Sequence, residues 1–302
     1  LKEEFNNSSA DPASNAATQA ARDEARLDVI KTRIASVMEG ESVVTFLEMN
    51  NVKIELLSDP INWAASTLTI TTVRDGEYFY KDPKILLKRD LTDDNLLQAI
   101  VHETGHLNQH LSKVGNPDRI LSEREYILFY RAAEADAQAL CTEVTWALKQ
   151  AGDAGPWNAA CNAGYKDICD AYEMMVTADP SSIENGTAKR IAFDTWFSKP
   201  ERLAGYNEAT ADNMIPFLAK GREIFKNHNM VEKPLDNTWV EKLDSASAKS
   251  YLLEVGNRSL LRDPYYSENT QLRPAPKKVA ANNNTPAAPG DTPNPPVMAN
   301  PF

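Results

Sequence analysis

Three of the chain's four histidines, His102, His106 and His110, fall within nine residues, and His102-Glu103-Thr104-Gly105-His106 is a His-Glu-x-x-His motif. Residues four apart on a helix lean over the same turn, so the two imidazoles can each bring a nitrogen to within about 2.0–2.1 Å of one point, the bond length zinc takes. Glu103 lies beside the pair without being able to join it as a ligand. That is where a base must stand to take a proton from zinc-activated water. Gly105 has no side chain and would let a neighbouring element come close to the metal face. His110 lies about 12 Å from His102 along a helix axis, so the three histidines cannot all bind one ion. A polar place on the helix face and a contact near the site both remain open for it.

Such a motif needs a rigid helix, and the flanking residues supply one. Thr92-Asp93-Asp94 reads as a helix start, a capping hydroxyl followed by two carboxylates where the helix dipole favours them. Leu97, Ile100, Thr104, Leu107, Leu111 and Val114 then form one stripe, and Gly115-Asn116-Pro117 ends the helix. The histidines fall on the other side. One face should therefore anchor the helix while the opposite face displays imidazoles.

A third ligand should be a carboxylate or histidine brought back by another helix. The next helical stretch runs from about Ser122 to Gln150, with Tyr126, Tyr130, Ala133, Ala137, Leu140, Cys141, Val144 and Leu148 on its apolar side. Its middle, Arg131 to Ala139, has five alanines in nine positions and can pack close to another backbone. Glu134 projects about 60° from the centre of the apolar stripe. A carboxylate turned inward requires a partner or a cation, and a metal ion is a cation.

On these residues the sequence resembles the gluzincin zinc metallopeptidases, in which a Glu from the following helix completes a His-Glu-x-x-His site. The resemblance is strongest over about 85 to 150. It extends to bacterial metallopeptidases of unassigned substrate and, more loosely, to the repressor-cleaving and membrane-bound gluzincins with a Glu-x-x-Ala-Asp helix. It implies zinc ligands His102, His106 and Glu134, with Glu103 as general base. It also implies that Ile85 to Lys88 is an edge strand along which an extended peptide lies. One departure stands out: Glu134 and Asp136 are two apart, about 200° around a helix, and cannot both reach one ion. Asp136 is then a supporting group or, in an aspzincin-like alternative, the ligand itself. A metzincin site is excluded, since it needs Gly at 109 and His at 112, where this chain has Gln109 and Ser112. No motif singles out an oxyanion donor among Tyr126, Tyr130 and Tyr165.

The rest of the chain has to position these helices. Residues 1–22 carry almost no large apolar side chain and should be disordered. Residues 269–302 form a Pro/Ala/Asn-rich tail, with eight of the eighteen prolines from Pro274 onward, and should be disordered and locally polyproline-like. Between them, 23–268 reads as one body. It opens with a helix carrying Leu27, Ile30, Ile34 and Val37 and stopping at Gly40. Strands follow: Val52, Ile54 and Leu56 alternate, as do Leu68, Ile70 and Thr72. Asp75-Gly76 is a turn signal, and Tyr78 to Tyr80 and Ile85 to Leu87 are two further runs. After residue 92 only helices remain, and they carry Trp157, Tyr172, Trp196 and Phe217 as core aromatics, with His228 structural. Strands followed by helices indicate an α+β, zincin-like domain with a small N-terminal sheet and a helix-rich body.

A formal charge of -11 with no basic stripe argues against nucleic acid or an anionic membrane as partner, and no apolar run reaches membrane-spanning length. Cys141, Cys161 and Cys169 form no framework, and Cys161 could bridge to Cys169 only if Gly164 breaks the helix between them. The chain opens at Leu1, which leaves room for a leader ahead of it, and the compartment stays open. The expectation is a Zn2+-dependent metallopeptidase acting on a peptide or protein substrate. The alternatives are a catalytically silent zincin-like module presenting its proline-rich tail to a partner, and the aspzincin-like site on Asp136.

Overall fold

The computed structural model describes residues 12–58, 65–74, 77–111, 122–209 and 264–267. The proline-rich tail, Phe217 and His228 lie outside them. Helix α1 (Pro12–Ile34) starts within the stretch expected to be disordered. Ala, Gln and Arg favour helix intrinsically, and residues 17–22 are mostly exposed, so this part forms without an apolar face to announce it. Leu27, Ile30 and Ile34 are buried against Val43 and Leu47 of α2 (Met38–Met49). Gly40 lies inside α2 and does not end a helix. The Ile34 carbonyl occupies the space its Cβ would need, so the glycine permits the tight reversal between α1 and α2.

Three strands follow, β1 (Lys53–Leu57), β2 (Ala65–Arg74) and β3 (Glu77–Lys88), in the order β1-β3-β2. β3 pairs parallel with β1 from Lys53↔Lys84 to Leu57↔Lys88, and antiparallel with β2 from Ala65↔Leu87 to Arg74↔Glu77. The two runs at 78–80 and 85–87 are therefore one strand. The register shifts between Leu68 and Ile70, where Asp82 takes φ 52°, and this bulge makes a single bent strand look like two in sequence. Ile85–Lys88 is consequently central, with both edges occupied. It cannot be the edge along which a peptide lies, and that expectation is corrected.

Helix α3 (Asp93–Leu111) carries the motif. Thr92 Oγ accepts from the Asn95 amide at 3.3 Å, as its capping role requires. Arg26 of α1 fixes the approach to this helix: it bonds the carbonyls of Arg89 and Leu91 at 2.7 and 2.5 Å and the Asp93 carboxylate at 2.7 Å. Helix α4 (Glu123–Gln150) begins with a full capping box between Ser122 and Glu125. It is the central element. Cys141, Val144 and Leu148 join a core with α1, α2, the sheet and α3, while Ala132, Ala135, Ala139 and Trp146 face a second core.

That second core is closed by α5 (Gly155–Ala160), α6 (Lys166–Ala178), α7 (Thr187–Trp196), α8 (Pro200–Ala209) and the helical turn Pro264–Ser267. Trp157, Tyr172 and Trp196 are buried in it, as core aromatics should be. A π-helical turn, Cys161–Tyr165, joins α5 to α6, and Gly164 at φ 98° breaks the helical run. Cys161 and Cys169, on either side of the break, are free thiols. Among the described residues no helix is long and apolar enough to cross a membrane.

Candidate metal centre

The motif helix is not amphipathic in its surroundings. Leu97, Ile100 and Leu107 are buried on the expected side, but His102, Glu103, Thr104, His106, Gln109 and His110 are buried as well. The face expected to be wet lies against α4. Gly105 makes this possible: a Cβ there would stand 3.1 Å from both Cα and Cβ of Ala137. A glycine opposite an alanine lets the two helices approach closely enough for side chains of α3 and α4 to meet across the seam.

What meets there is His102, His106 and Glu134, whose ligand atoms all lie within 4.8 Å of one another. The two imidazole Nε2 atoms are 3.1 Å apart, with their rings nearly perpendicular at 83°. Glu134 Oε2 is 3.3 Å from His102 Nε2, and Oε1 is 3.2 Å from His106 Nε2. Four bonds of about 2.0–2.1 Å in a tetrahedron put neighbouring ligand atoms about 3.3–3.4 Å apart, so these separations have the size of a metal's coordination edges. Two nitrogen lone pairs cannot face each other in a buried site without a cation between them or a proton on one. Both Glu134 oxygens are buried without a hydrogen bond of good geometry, so the donor set fits a small divalent ion.

The electrostatics agree. Burial alone would pull His106 down, but the Glu134 carboxylate, with help from Glu103 and Gln109, raises it from 6.5 to about 9. Burial alone would raise Glu134, yet His106 and His102 hold it down at about 2. Without an ion, a proton on His106 therefore supplies the positive charge that the buried carboxylate needs. Side-chain exposure falls from 11% at His102 to 5% at His106 and 0% at Glu134, so solvent reaches the cluster from the His102 side.

Glu103 is fully buried beside the cluster and adds its charge to the field at His106. Asp136 is not drawn into the cluster. Its Oδ2 accepts from Gln109 Nε2 at 2.8 Å, and Gln109 also donates to the Ala133 carbonyl at 2.9 Å and meets His106 Nδ1 at 3.0 Å. His110 is buried, and burial together with neighbouring His106 lowers it to about 3, so it is neutral near pH 7. Tyr126, Tyr130 and Tyr165 are all buried; Tyr130 is pushed well above its ordinary value by burial and by the charge of Glu134, and Tyr165 lies 3.5 Å from Tyr206 between hydroxyls. Gln109 escaped the sequence reading, where it counted only as a mismatch to another motif. Its position one turn after His106, on the same helix face, was the available signal.

The sequence matches, over residues 16–234, a family described as a putative metallopeptidase family. The chain belongs to that family. The match runs from within α1 through α8 and takes in every residue of the cluster. No curated protein and no solved structure matches the chain.

Proposed function

We propose that the chain is a zinc-dependent peptidase of the gluzincin type, on a zincin-like arrangement of motif helix, sheet and following helix, with His102, His106 and Glu134 as ligands and Glu103 as general base. The observation that carries this reading is the buried triangle of two imidazole nitrogens and one carboxylate at 3.1–3.3 Å. Two imidazoles and a carboxylate are the donors zinc takes in hydrolytic sites, and they leave a position open for water or substrate. When bound, the ion would polarise the scissile carbonyl and acidify the attacking water.

The remaining work falls to the chain's own groups. Glu103 precedes Thr104 on the motif turn and follows His102, so its carboxylate is held beside the ligands and can take the proton of the attacking water and return it to the leaving amine. Glu134 is buried completely and carries a charge that the two imidazoles retain. The alignment of an extended peptide falls to groups other than Ile85–Lys88, whose edges are taken.

The test compares purified wild type with Glu103→Gln for metal content by mass spectrometry and for cleavage of a quenched-fluorescence peptide library. Wild type should carry one zinc per chain, lose cleavage to a chelator and regain it with zinc. Glu103→Gln should keep the zinc and lose at least a hundredfold in rate, within the usual range for a positioned acid or base of about 10²–10⁴. Absence of stoichiometric metal, or undiminished cleavage by Glu103→Gln, would overturn the assignment. Metal without cleavage in wild type would favour the catalytically silent module.

A further inference from the structure

Gln109 makes three contacts, and together they leave no choice about how its amide is oriented. Ala133 O and Asp136 Oδ2, at 2.9 and 2.8 Å, can only accept, so the amide nitrogen must face them and both of its hydrogens are used. The amide oxygen is then the atom 3.0 Å from His106 Nδ1. An amide oxygen cannot donate. His106 Nδ1 must therefore carry a hydrogen, and Nε2 is left as the nitrogen that faces His102 and Glu134.

The same side chain also holds the other ligand in place. Ala133 immediately precedes Glu134 and Asp136 follows it by two, so Gln109 grips α4 on both sides of the carboxylate. Gln109 itself is one turn after His106 on α3 and 5% exposed. A carboxylate placed directly on His106 Nδ1 would add a third negative charge to a buried site that already holds Glu103 and Glu134, both fully buried. An amide passes on the hydrogen bond and keeps the Asp136 charge one residue further off.

We propose that Gln109, backed by Asp136, is the positioning residue of this centre: it holds the His106 ring by its Nδ1 hydrogen and ties the Glu134 turn of α4 to α3, so that Nε2 and the carboxylate already face one point before an ion arrives. The proposal rests on the metal-site reading given above. Groups that orient a ligating histidine typically contribute about 10- to 100-fold in metal affinity.

The experiment measures zinc affinity at pH 7 by competition with a chromogenic chelator, and the His106 Nδ1 hydrogen by 1H–15N NMR of the zinc-loaded protein. Gln109→Leu, of similar volume, should bind zinc about 10- to 100-fold more weakly and lose the solvent-protected Nδ1–H signal that wild type shows. Gln109→Glu alone should also bind weakly, because its carboxylate faces Asp136. Combining Gln109→Glu with Asp136→Asn reverses donor and acceptor in that pair and keeps an acceptor for His106, while the contact with the Ala133 carbonyl stays unpaired, and should recover the Nδ1–H signal and part of the affinity. A role in packing alone predicts no such rescue. Zinc binding by Gln109→Leu within twofold of wild type, or equal affinities for Gln109→Glu and the double variant, would overturn the relay while leaving the metal site intact. A wild type that takes up no zinc would instead overturn the site on which the relay acts.

Discussion

Gly105 is the point where the geometry of the seam can be separated from the stability of the fold. In Gly105→Ala the new methyl would lie 3.1 Å from both Cα and Cβ of Ala137, on the backbone side of α4, where no flexible side chain can swing away. Carbon atoms in contact prefer about 3.5–4.0 Å, so the helices would have to separate by roughly 0.4–0.9 Å at this level. The two ligand edges to Glu134, 3.3 Å from His102 and 3.2 Å from His106, span the same seam and would open with it, beyond the size a zinc tetrahedron accepts. Overpacking costs about 1–3 kcal/mol, whereas exchanging glycine for alanine inside a helix returns about 0.8–1.0 kcal/mol. The metal-free protein can relax by letting the helices part, so its stability should change little. The metal-loaded protein must pull them back, and there the full strain opposes binding. At about 1.4 kcal/mol per tenfold, zinc affinity should fall roughly 5- to 150-fold. Gly205→Ala on α8 is the control, since a Cβ there meets nothing within 4 Å. Chelator competition and urea unfolding of the metal-free forms read the two quantities separately. If Gly105→Ala bound zinc as tightly as wild type and Gly205→Ala, the close approach of α3 and α4 would not be what sets the ligand spacing.

In the metal-free protein Glu134 is lowered from 4.5 to about 2, so its contribution to stability is complete above 4.5 and lost as pH falls through about 2. His106 is raised from 6.5 to about 9, so its contribution is complete below 6.5 and lost as pH rises through about 9. Metal-free stability should therefore decline between 6.5 and about 9, and zinc uptake near pH 7 should release the His106 proton, read by calorimetry in buffers of different ionisation enthalpy; heats that do not depend on the buffer would contradict this. Gly164→Ala places a side chain at φ 98° between α5 and α6 and should lower the urea midpoint by the equivalent of about 1–3 kcal/mol, whereas an unchanged or raised midpoint would show that the kink carries no strain for other residues.

The parts of the site legible in sequence were those written in local spacing. Two histidines four apart, the Thr92 cap and the start of α4 at Ser122 depend on neighbours within a turn, and the structure places them as that spacing requires. Glu134 was legible for a related reason: a carboxylate on the apolar side of an alanine-rich helix implies a buried partner. What sequence could not show depends on pairing across distance. The central place of β3 comes from β1 joining it in parallel across the intervening β2, and no local pattern distinguishes a paired edge from a free one. The Asp82 bulge likewise hid one strand behind two short runs.

The largest discrepancy, the burial of the polar face of α3, bears on how such a site is built. Hydrophobic periodicity assigns polar side chains to water, because leaving them buried without partners is unfavourable by several kcal/mol for charged groups. Here the polar groups of α3 find their partners on α4: His102 and His106 meet Glu134, and Gln109 meets Ala133 and Asp136. The two helices thus satisfy each other only in one register. A slide of one residue, about 1.5 Å along the axis and 100° around it, would remove Ala137 from Gly105 and Asp136 from Gln109 together. Small residues permit the approach, and paired polar residues allow only one alignment within it. A metal site placed on such a seam inherits its spacing from the register of the helices, which is why a change at Gly105, with no ligand atom of its own, is expected to act on the ion.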